Sequence, residues 1–353
     1  MKFTIGIFVL AFIGVIAWAV LVLIPISGKF QTLSPLLVDQ CRHVDVAPGT
    51  EDIEIDELTG QVFISIFERR GWYLGDEETR PAGAIYLLDL DDSTLTPTLI
   101  SEDAPDDFSP HGISLWRDTD GERRLFVVNH RADGTEAIEM FDINEDGSLF
   151  HTETVTFDAM YSPNDVVAVG NRTFYATNDK RYDGGALGML EIYLGLALTD
   201  IVYFDGVTGS VAADGFVYAN GINASADGSK IYVAEVLKRR ISILERNIAT
   251  GALEHINRIP LSTAPDNIDV APDRSLYIAG HTRIFDFVDH AKDPAAVSPS
   301  HVVRVDPVTG ESADVFISMN GEINGSSVGA ANDSALIVGA VFDAHVMVCP
   351  LGS

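Results

Sequence analysis

Oxygen-bearing side chains recur along the chain in short polar clusters, each followed at once by an apolar run. The clusters are Glu51-Asp52-Ile53-Glu54-Ile55, Pro110-His111-Gly112-Ile113, Pro163-Asn164-Asp165-Val166-Val167, Asn220-Gly221-Ile222-Asn223, Pro265-Asp266-Asn267-Ile268-Asp269-Val270 and Gly325-Ser326-Ser327-Val328. Carboxylates and amides dominate them: Glu51, Asp52, Asn164, Asp165, Asn220, Asp266 and Asn267. Brought together without a cation, the carboxylates would repel one another and lose hydration at high cost. Calcium takes about 6–8 oxygen ligands from carboxylates, amides, backbone carbonyls and water, and suits this set. No Cys and His cluster with zinc spacing accompanies these positions, so softer metals fit poorly. The site is expected to be assembled from distant positions rather than held by one linear loop.

Such convergence requires a repeating scaffold. The clusters start at residues 51, 111, 164, 220, 266 and 326, and the intervals between them are 60, 53, 56, 46 and 60. Between them run short β-like segments such as Gln61–Ile66, Ala84–Leu90, Leu125–Asn129, Ile231–Glu235 and Ala335–Gly339, with Asp-Gly turns at 133–134, 146–147 and 227–228. Many short strands with this punctuation indicate an all-β protein. Six units near 50 residues predict a six-bladed β-propeller whose innermost strands all begin at one end of the central channel. The competing reading is an irregular β-protein in which these polar residues serve only their turns.

Composition narrows the partners. The 353 residues carry 52 Asp and Glu against 23 Lys and Arg, a net charge of −29. That balance excludes phosphate-backbone recognition, so no nucleic-acid partner is expected. Phe3–Ile26 is an uncharged apolar run flanked by Lys2 and Lys29, long enough to cross a hydrocarbon layer as a helix. The expected organisation is a membrane anchor over 1–28, a linker over 29–40 and a propeller over 41–353. A cleaved signal peptide and a buried core helix are the alternatives. Cys41 and Cys349 stand at the two ends of the propeller region. An extracytoplasmic location favours a disulfide between them that closes the ring, against two buried free thiols.

Several ordered segments resemble the paraoxonase/arylesterase family: Glu51–Ile55, Pro110–Ser114, Val127–His130, Pro163–Gly170, Thr177–Asp179, Tyr193–Ala197, Phe216–Asn223 and Asp266–Val270. The resemblance runs in order from Cys41 to Cys349 and extends to the N-terminal apolar helix. It implies a propeller holding two calcium ions in its channel. The catalytic ion would be bound by Glu51, Asn164, Asn220, Asp266 and Asn267, and the structural ion by Asp52, Asp165 and the backbone carbonyl of Ile113. His111 would be the general base with His130 as its partner; Glu51 or Asp266 is the rival base. His281, Val341 and Phe342 would line the substrate pocket. Arg239 departs from the family pattern, which often has His there, and this bears on substrate preference.

The implied activity is calcium-dependent hydrolysis of lactones and aryl esters, with organophosphate triesters as a side reaction. A serine nucleophile on a G-x-S-x-G elbow is not expected. The alternatives are a gluconolactonase-like sugar-lactone hydrolase and a non-catalytic, calcium-stabilised propeller that binds a lipid or a protein. Ala186–Leu198 breaks the β pattern and reads as an apolar helix over the channel mouth, buried in the protein or facing a membrane. The partners expected are a lipophilic small molecule and a membrane, with the catalytic domain anchored outside the cytoplasm, or secreted if 1–28 is cleaved. Asn171, Asn324 and Asn332 match the glycan-acceptor pattern.

Overall fold

Alternating turns and short apolar strands fold into six four-stranded antiparallel sheets in the computed structural model, which describes residues 14, 16–74 and 82–352. Five sheets are built in sequence order from the channel outward. Their innermost strands are Thr50–Asp56, Pro110–Arg117, Pro163–Gly170, Ala219–Ala224 and Pro265–Val270, and Ser326–Ala331 is the innermost strand of the sixth. Each of these six packs against the next, and the last packs against the first, so the sheets form a closed ring. This is the six-bladed propeller that the repeat predicts, and every inner strand starts within one residue of the expected position.

The strands are apolar because each blade is sandwiched between two others. Val62, Ile64 and Leu88 of the first blade pack on Val328, Ala330 and Ile337 of the sixth. Phe126 and Val128 of the second blade meet Phe174 and Val202 of the third. Polar stitches cross the same seams: the Ala168 amide donates to Ser114 Oγ at 3.1 Å, and Asn223 Nδ2 to the Ile268 carbonyl at 2.8 Å.

Closure mixes the two ends of the chain. Arg42–Asp45 adds antiparallel to His345–Pro350 as the outer strand of the sixth blade, with Arg42 opposite Val348. Cys41 and Cys349 are disulfide-bonded across this junction, 308 residues apart in sequence and 4.0 Å between Cα atoms. Part of the N-terminal apolar run, residues 1–13 and 15, lies outside the described residues. Within the rest, Ala19–Leu23 is a π-helical turn leading into the α-helical turn Ile24–Ser27. Among the described residues no helix is long and apolar enough to cross a membrane.

Inner strands begin at the mouth of the channel and second strands return to it. The mouth is therefore roofed by the connections from second to third strands, including the helices Arg69–Tyr73, Gly185–Leu194 and Ile284–Lys292. Removing the staple by Cys41→Ser with Cys349→Ser should cost about 2–5 kcal/mol of stability, because the unfolded chain regains its loop entropy. Denaturant unfolding of the variant beside the oxidised wild type measures it.

Candidate metal centre

All six inner strands break register in their first residues: between Thr50 and Asp52, Pro110 and Ile113, Pro163 and Val166, Ala219 and Ile222, Pro265 and Ile268, and Ser326 and Val328. Successive side chains of a regular strand point to opposite faces. A bulge leaves residues unpaired and re-aims them. The residues skipped by the ladders are Glu51, His111-Gly112, Asn164-Asp165, Asn220-Gly221, Asp266-Asn267 and Ser327, nearly the polar set singled out in the sequence. Two glycines allow the crowding. A Cβ on Gly112 would sit 2.2 Å from Asp165 Oδ1, and one on Gly221 would sit 2.4 Å from the Asp266 carbonyl oxygen.

Glu51, Asn164, Asn220, Asp266 and Asn267 are all buried. Four of them carry an oxygen with no hydrogen-bond partner: Glu51 Oε2, Asn164 Oδ1, Asn220 Oδ1 and Asn267 Oδ1. Buried polar atoms are nearly always satisfied, so a convergent group of orphans calls for a missing partner. Arg69 Nε and His281 Nδ1 are also without a partner, but the four oxygens can only accept, and a cation would satisfy them together. Their other atoms hold one another in place: Asn267 Nδ2 donates to Glu51 Oε1 at 3.1 Å, and Asp266 Oδ2 lies 2.9 Å from His281 Nε2.

Asp52 and Asp165 are bound differently. Asp52 accepts the amides of Ile53 at 2.9 Å and Ile113 at 2.7 Å, while Asp165 accepts those of Val166 and Ile222, each at 2.7 Å. Each carboxylate thereby ties its own blade to the next. Ile113 stands beside Asp52 through its amide; the group that the resemblance assigns to an ion is its carbonyl.

Electrostatics separates these carboxyls. Burial pushes Asp52 well above the usual range and Glu51 adds to it; burial and Asp52 do the same to Asp165. Asp266 is also raised by burial, against the pull of His281. Burial acts on Glu51 too, but His111, Arg69 and Asn267 outweigh it and bring the carboxyl down to about 2. Arg69 is the buried counter-charge, with Nη2 3.9 Å from Glu51 Oε2 and 2.6 Å from the Pro110 carbonyl oxygen. One guanidinium does not neutralise four carboxyls, and divalent charge on the axis would.

The two sequence-predicted histidines meet. His111 Nδ1 lies 2.8 Å from His130 Nε2, and His111 Nε2 lies 3.4 Å from Glu51 Oε1. His130 Nδ1 lies 2.6 Å from Glu136 Oε2, and the Trp72 ring is 5.7 Å away. Burial pushes His130 down. His281 stacks on Phe287 at 3.7 Å, and Phe287 on Phe342 at 5.7 Å. Tyr73 and Arg70 also pack on Phe342. Val341 is half-buried beside it, its amide donating to the Gly325 carbonyl.

Arg239 is a clamp. Its guanidinium donates to the carbonyls of Ile26, Thr282 and Ser262 and to Gln31 Oε1, and burial lowers it to about 10. It fastens the N-terminal segment to the fifth blade. The helix in the 186–198 region spans Gly185–Leu194 and exposes Leu187, Met189, Leu190, Ile192, Tyr193 and Leu194. Its one charge, Glu191, is buried and accepts the amides of Arg181 and Tyr182. Among the described residues the apolar face is therefore largely open, with Trp18 set against Tyr193.

Arg69 and Glu136 escaped the sequence reading, which gave Thr177 and Ser327 no role of their own. Thr177 Oγ1 accepts the Asp165 amide and donates to the Asn220 carbonyl. Ser327 stands in the pentapeptide Gly325-Ser326-Ser327-Val328-Gly329, which does spell G-x-S-x-G. It lies on an inner strand rather than a strand-to-helix elbow, and its Oγ donates to the Glu51 carbonyl at 2.6 Å. Asp142–Glu153 spells a D-x-N-x-D-G-x5-E calcium loop but forms a β-hairpin, with Asp142 taken by Arg124 and Glu153 by Arg172. Neither pattern performs the chemistry it spells.

Comparison with known proteins agrees with this layout. A family model described as Arylesterase matches residues 41–351. The chain is 34% identical over 333 residues to serum paraoxonase/arylesterase 2 of Gallus gallus, covering 91% of each protein. It is 34% identical over 332 residues to serum paraoxonase/arylesterase 1 of Homo sapiens, covering 89% of this chain and 90% of that one. Among solved structures, a gluconolactonase from Xanthomonas campestris superposes with a TM-score of 0.53 at 16% identity, covering 90% of this chain and 91% of that one. At that identity the likeness speaks for the fold alone.

The two kinds of binding residue should respond differently to truncation. Asp165→Ala orphans two buried amides and should lower stability by about 1–3 kcal/mol for each. Asn267→Ala removes an orphaned oxygen together with the Nδ2 hydrogen bonds to Glu51, and should lower the melting temperature less than Asp165→Ala while weakening divalent-ion affinity. Thermal unfolding and calcium titration calorimetry on both variants separate them.

Proposed function

The chain belongs to the arylesterase (paraoxonase) family, and we propose that it hydrolyses lactones and aryl esters in a calcium-dependent reaction. The observation that carries this reading is the group of four orphaned, buried oxygens on Glu51, Asn164, Asn220 and Asn267, set around a channel that also holds a histidine pair. Glu51, Asn164, Asn220, Asp266 and Asn267 would hold the catalytic calcium. Asp52, Asp165 and the carbonyl of Ile113 would hold a second, structural one. When bound, calcium supplies a Lewis acid that polarises a carbonyl oxygen and favours the developing oxyanion.

This chain's own residues supply the rest. His111 faces the channel through Nε2 and removes a proton from the attacking water, while His130 fixes the ring through Nδ1. Glu51 is a weaker candidate base, because Asn267, Arg69 and His111 already stabilise its charged form. Asp266 is engaged by His281. His281, Phe287 and Phe342 offer a stacked, largely apolar wall for the substrate, continued by half-buried Val341. That wall and the open apolar helix favour lipophilic lactones over sugar lactones. Organophosphate triesters follow as a side activity, since a phosphoryl oxygen can be polarised in the same way. A purely structural calcium propeller would not need the His111–His130 pair or the orphaned outer ligands.

The mouth supports a location at a lipid surface. Leu187, Met189, Leu190, Ile192, Tyr193 and Leu194 are exposed there. Trp18 Nε1 donates to the Tyr193 carbonyl at 3.1 Å, which brings the N-terminal segment to the same face. An anchor over residues 1–28 would then hold the channel mouth against the bilayer with the propeller outside the cytoplasm, where the Cys41–Cys349 disulfide persists. Cleavage of that segment would release a secreted form.

Prolonged chelation should abolish hydrolysis of phenyl acetate and of a long-chain lactone, and returned calcium should restore it. Turnover that ignores the chelator would reject the reading. Protein lacking residues 1–28 should float with phosphatidylcholine vesicles. Leu190→Asp with Leu194→Asp should reduce that binding about 10-fold or more, since each inserted leucine contributes about 1.5–3 kcal/mol.

A further inference from the structure

The hydrogen-bonded chain that begins at His111 continues past His130. We propose that Glu136 is its third member, a positioning residue that sets the tautomers of both imidazoles and carries the proton from the channel to solvent. The inference rests on the hydrolase reading above and extends it by a residue that the family resemblance does not supply.

The hairpin builds the contact. His130 ends the strand Arg123–His130 and Glu136 opens the strand Glu136–Ile143, and the two face each other as a cross-strand pair. The turn between them runs through Gly134 at φ +81°. Arg131, the nearest cation in sequence, is held away by Asp107 at 3.0 Å. Glu136 Oε2 thus faces His130 Nδ1 at 2.6 Å, and the side chain is 23% exposed against 12% for His130 and 16% for His111. The chain therefore passes through its most buried member, His130, and ends at its most exposed one.

Donor and acceptor roles follow in sequence. An ionised carboxylate only accepts, so His130 Nδ1 carries the hydrogen. A neutral His130 then presents a bare Nε2, which accepts from His111 Nδ1 at 2.8 Å. His111 is left with its lone pair on Nε2, the nitrogen 3.4 Å from Glu51 Oε1 in the channel. When Nε2 takes a proton from water, the Nδ1 proton of His111 passes to His130 Nε2, and the Nδ1 proton of His130 passes to Glu136. One proton enters and one leaves, and hydroxide equivalent remains for attack. Without the carboxylate nothing selects this tautomer pair over its mirror, in which the channel nitrogen is already protonated.

The test is Glu136→Gln in the full-length, calcium-loaded protein, assayed with phenyl acetate and a long-chain lactone. The expected result is a fall in kcat of about 10- to 100-fold with KM little changed. Added imidazole, a small diffusible proton carrier, should restore part of the variant's turnover in proportion to its concentration and leave the wild type unaffected. In the metal-free protein, nitrogen-15 histidine NMR should show a downfield hydrogen-bonded imidazole proton in the wild type that is absent from the variant. An unchanged kcat would overturn the proposal, as would a loss that imidazole does not relieve and a fall in melting temperature accompanies. If the wild type hydrolyses neither substrate, the functional reading fails, and the NMR comparison alone decides whether Glu136 sets the tautomers.

Discussion

Uncompensated oxygen at the centre of the ring is the constraint on which the molecule depends. Four carboxyls and three amides are buried at the opening ends of the inner strands, with Arg69 as the buried cation beside Glu51. A fold selected for stability alone would not collect such groups, because each costs desolvation energy that protein partners do not return. Asp52 and Asp165 recover part of it by accepting two backbone amides each. Glu51, Asn164, Asn220 and Asn267 keep oxygens in reserve. The first pair is built into the walls, and the second group keeps acceptors that no protein donor fills.

The bulges convert a repetitive scaffold into that arrangement. A propeller made of ideal strands would alternate its side chains, offering one residue per blade to the channel and burying the next between blades. A register shift in the opening residues of every inner strand lets adjacent residues such as Asn164 and Asp165 both serve the centre. Gly112 and Gly221 permit the approach that follows. Every inner strand carries this break in its opening residues, while apolar side chains pack blade against blade beyond it.

Much of this was legible in the chain. The recurrence of a polar doublet before an apolar run located all six inner strands to within one residue, because the bulge and the buried polar residues occupy the same positions and leave one combined signature. Pairing of the terminal cysteines was readable from their place at the ends of the repeat. Other features resisted. Arg69 lies in an unremarkable Glu-Arg-Arg run, and nothing local marks an arginine for burial. Glu136 was recoverable in principle: a hairpin centred on the Asp133-Gly134 turn places it opposite His130, yet one surface carboxylate among 52 acidic residues carries no label. Glu191, the one charge of the helix Gly185–Leu194, points inward, where two amides of the preceding loop need an acceptor. The Ser327 and Asp142–Glu153 spellings show the converse, since a motif means little without its turn and its neighbours.

The closing strand also imposes a timetable on synthesis. Arg42–Asp45 is among the earliest segments of the propeller to emerge from the ribosome, and its pairing partner His345–Pro350 is among the last. Five blades can assemble from consecutive hairpins as they appear, but the sixth stays open until His345–Pro350 has emerged. Through that interval the nascent chain displays an unpaired sheet edge, the kind of surface that invites association with the wrong neighbour. The disulfide between Cys41 and Cys349 is then a late covalent latch, formed only once the circle has been joined.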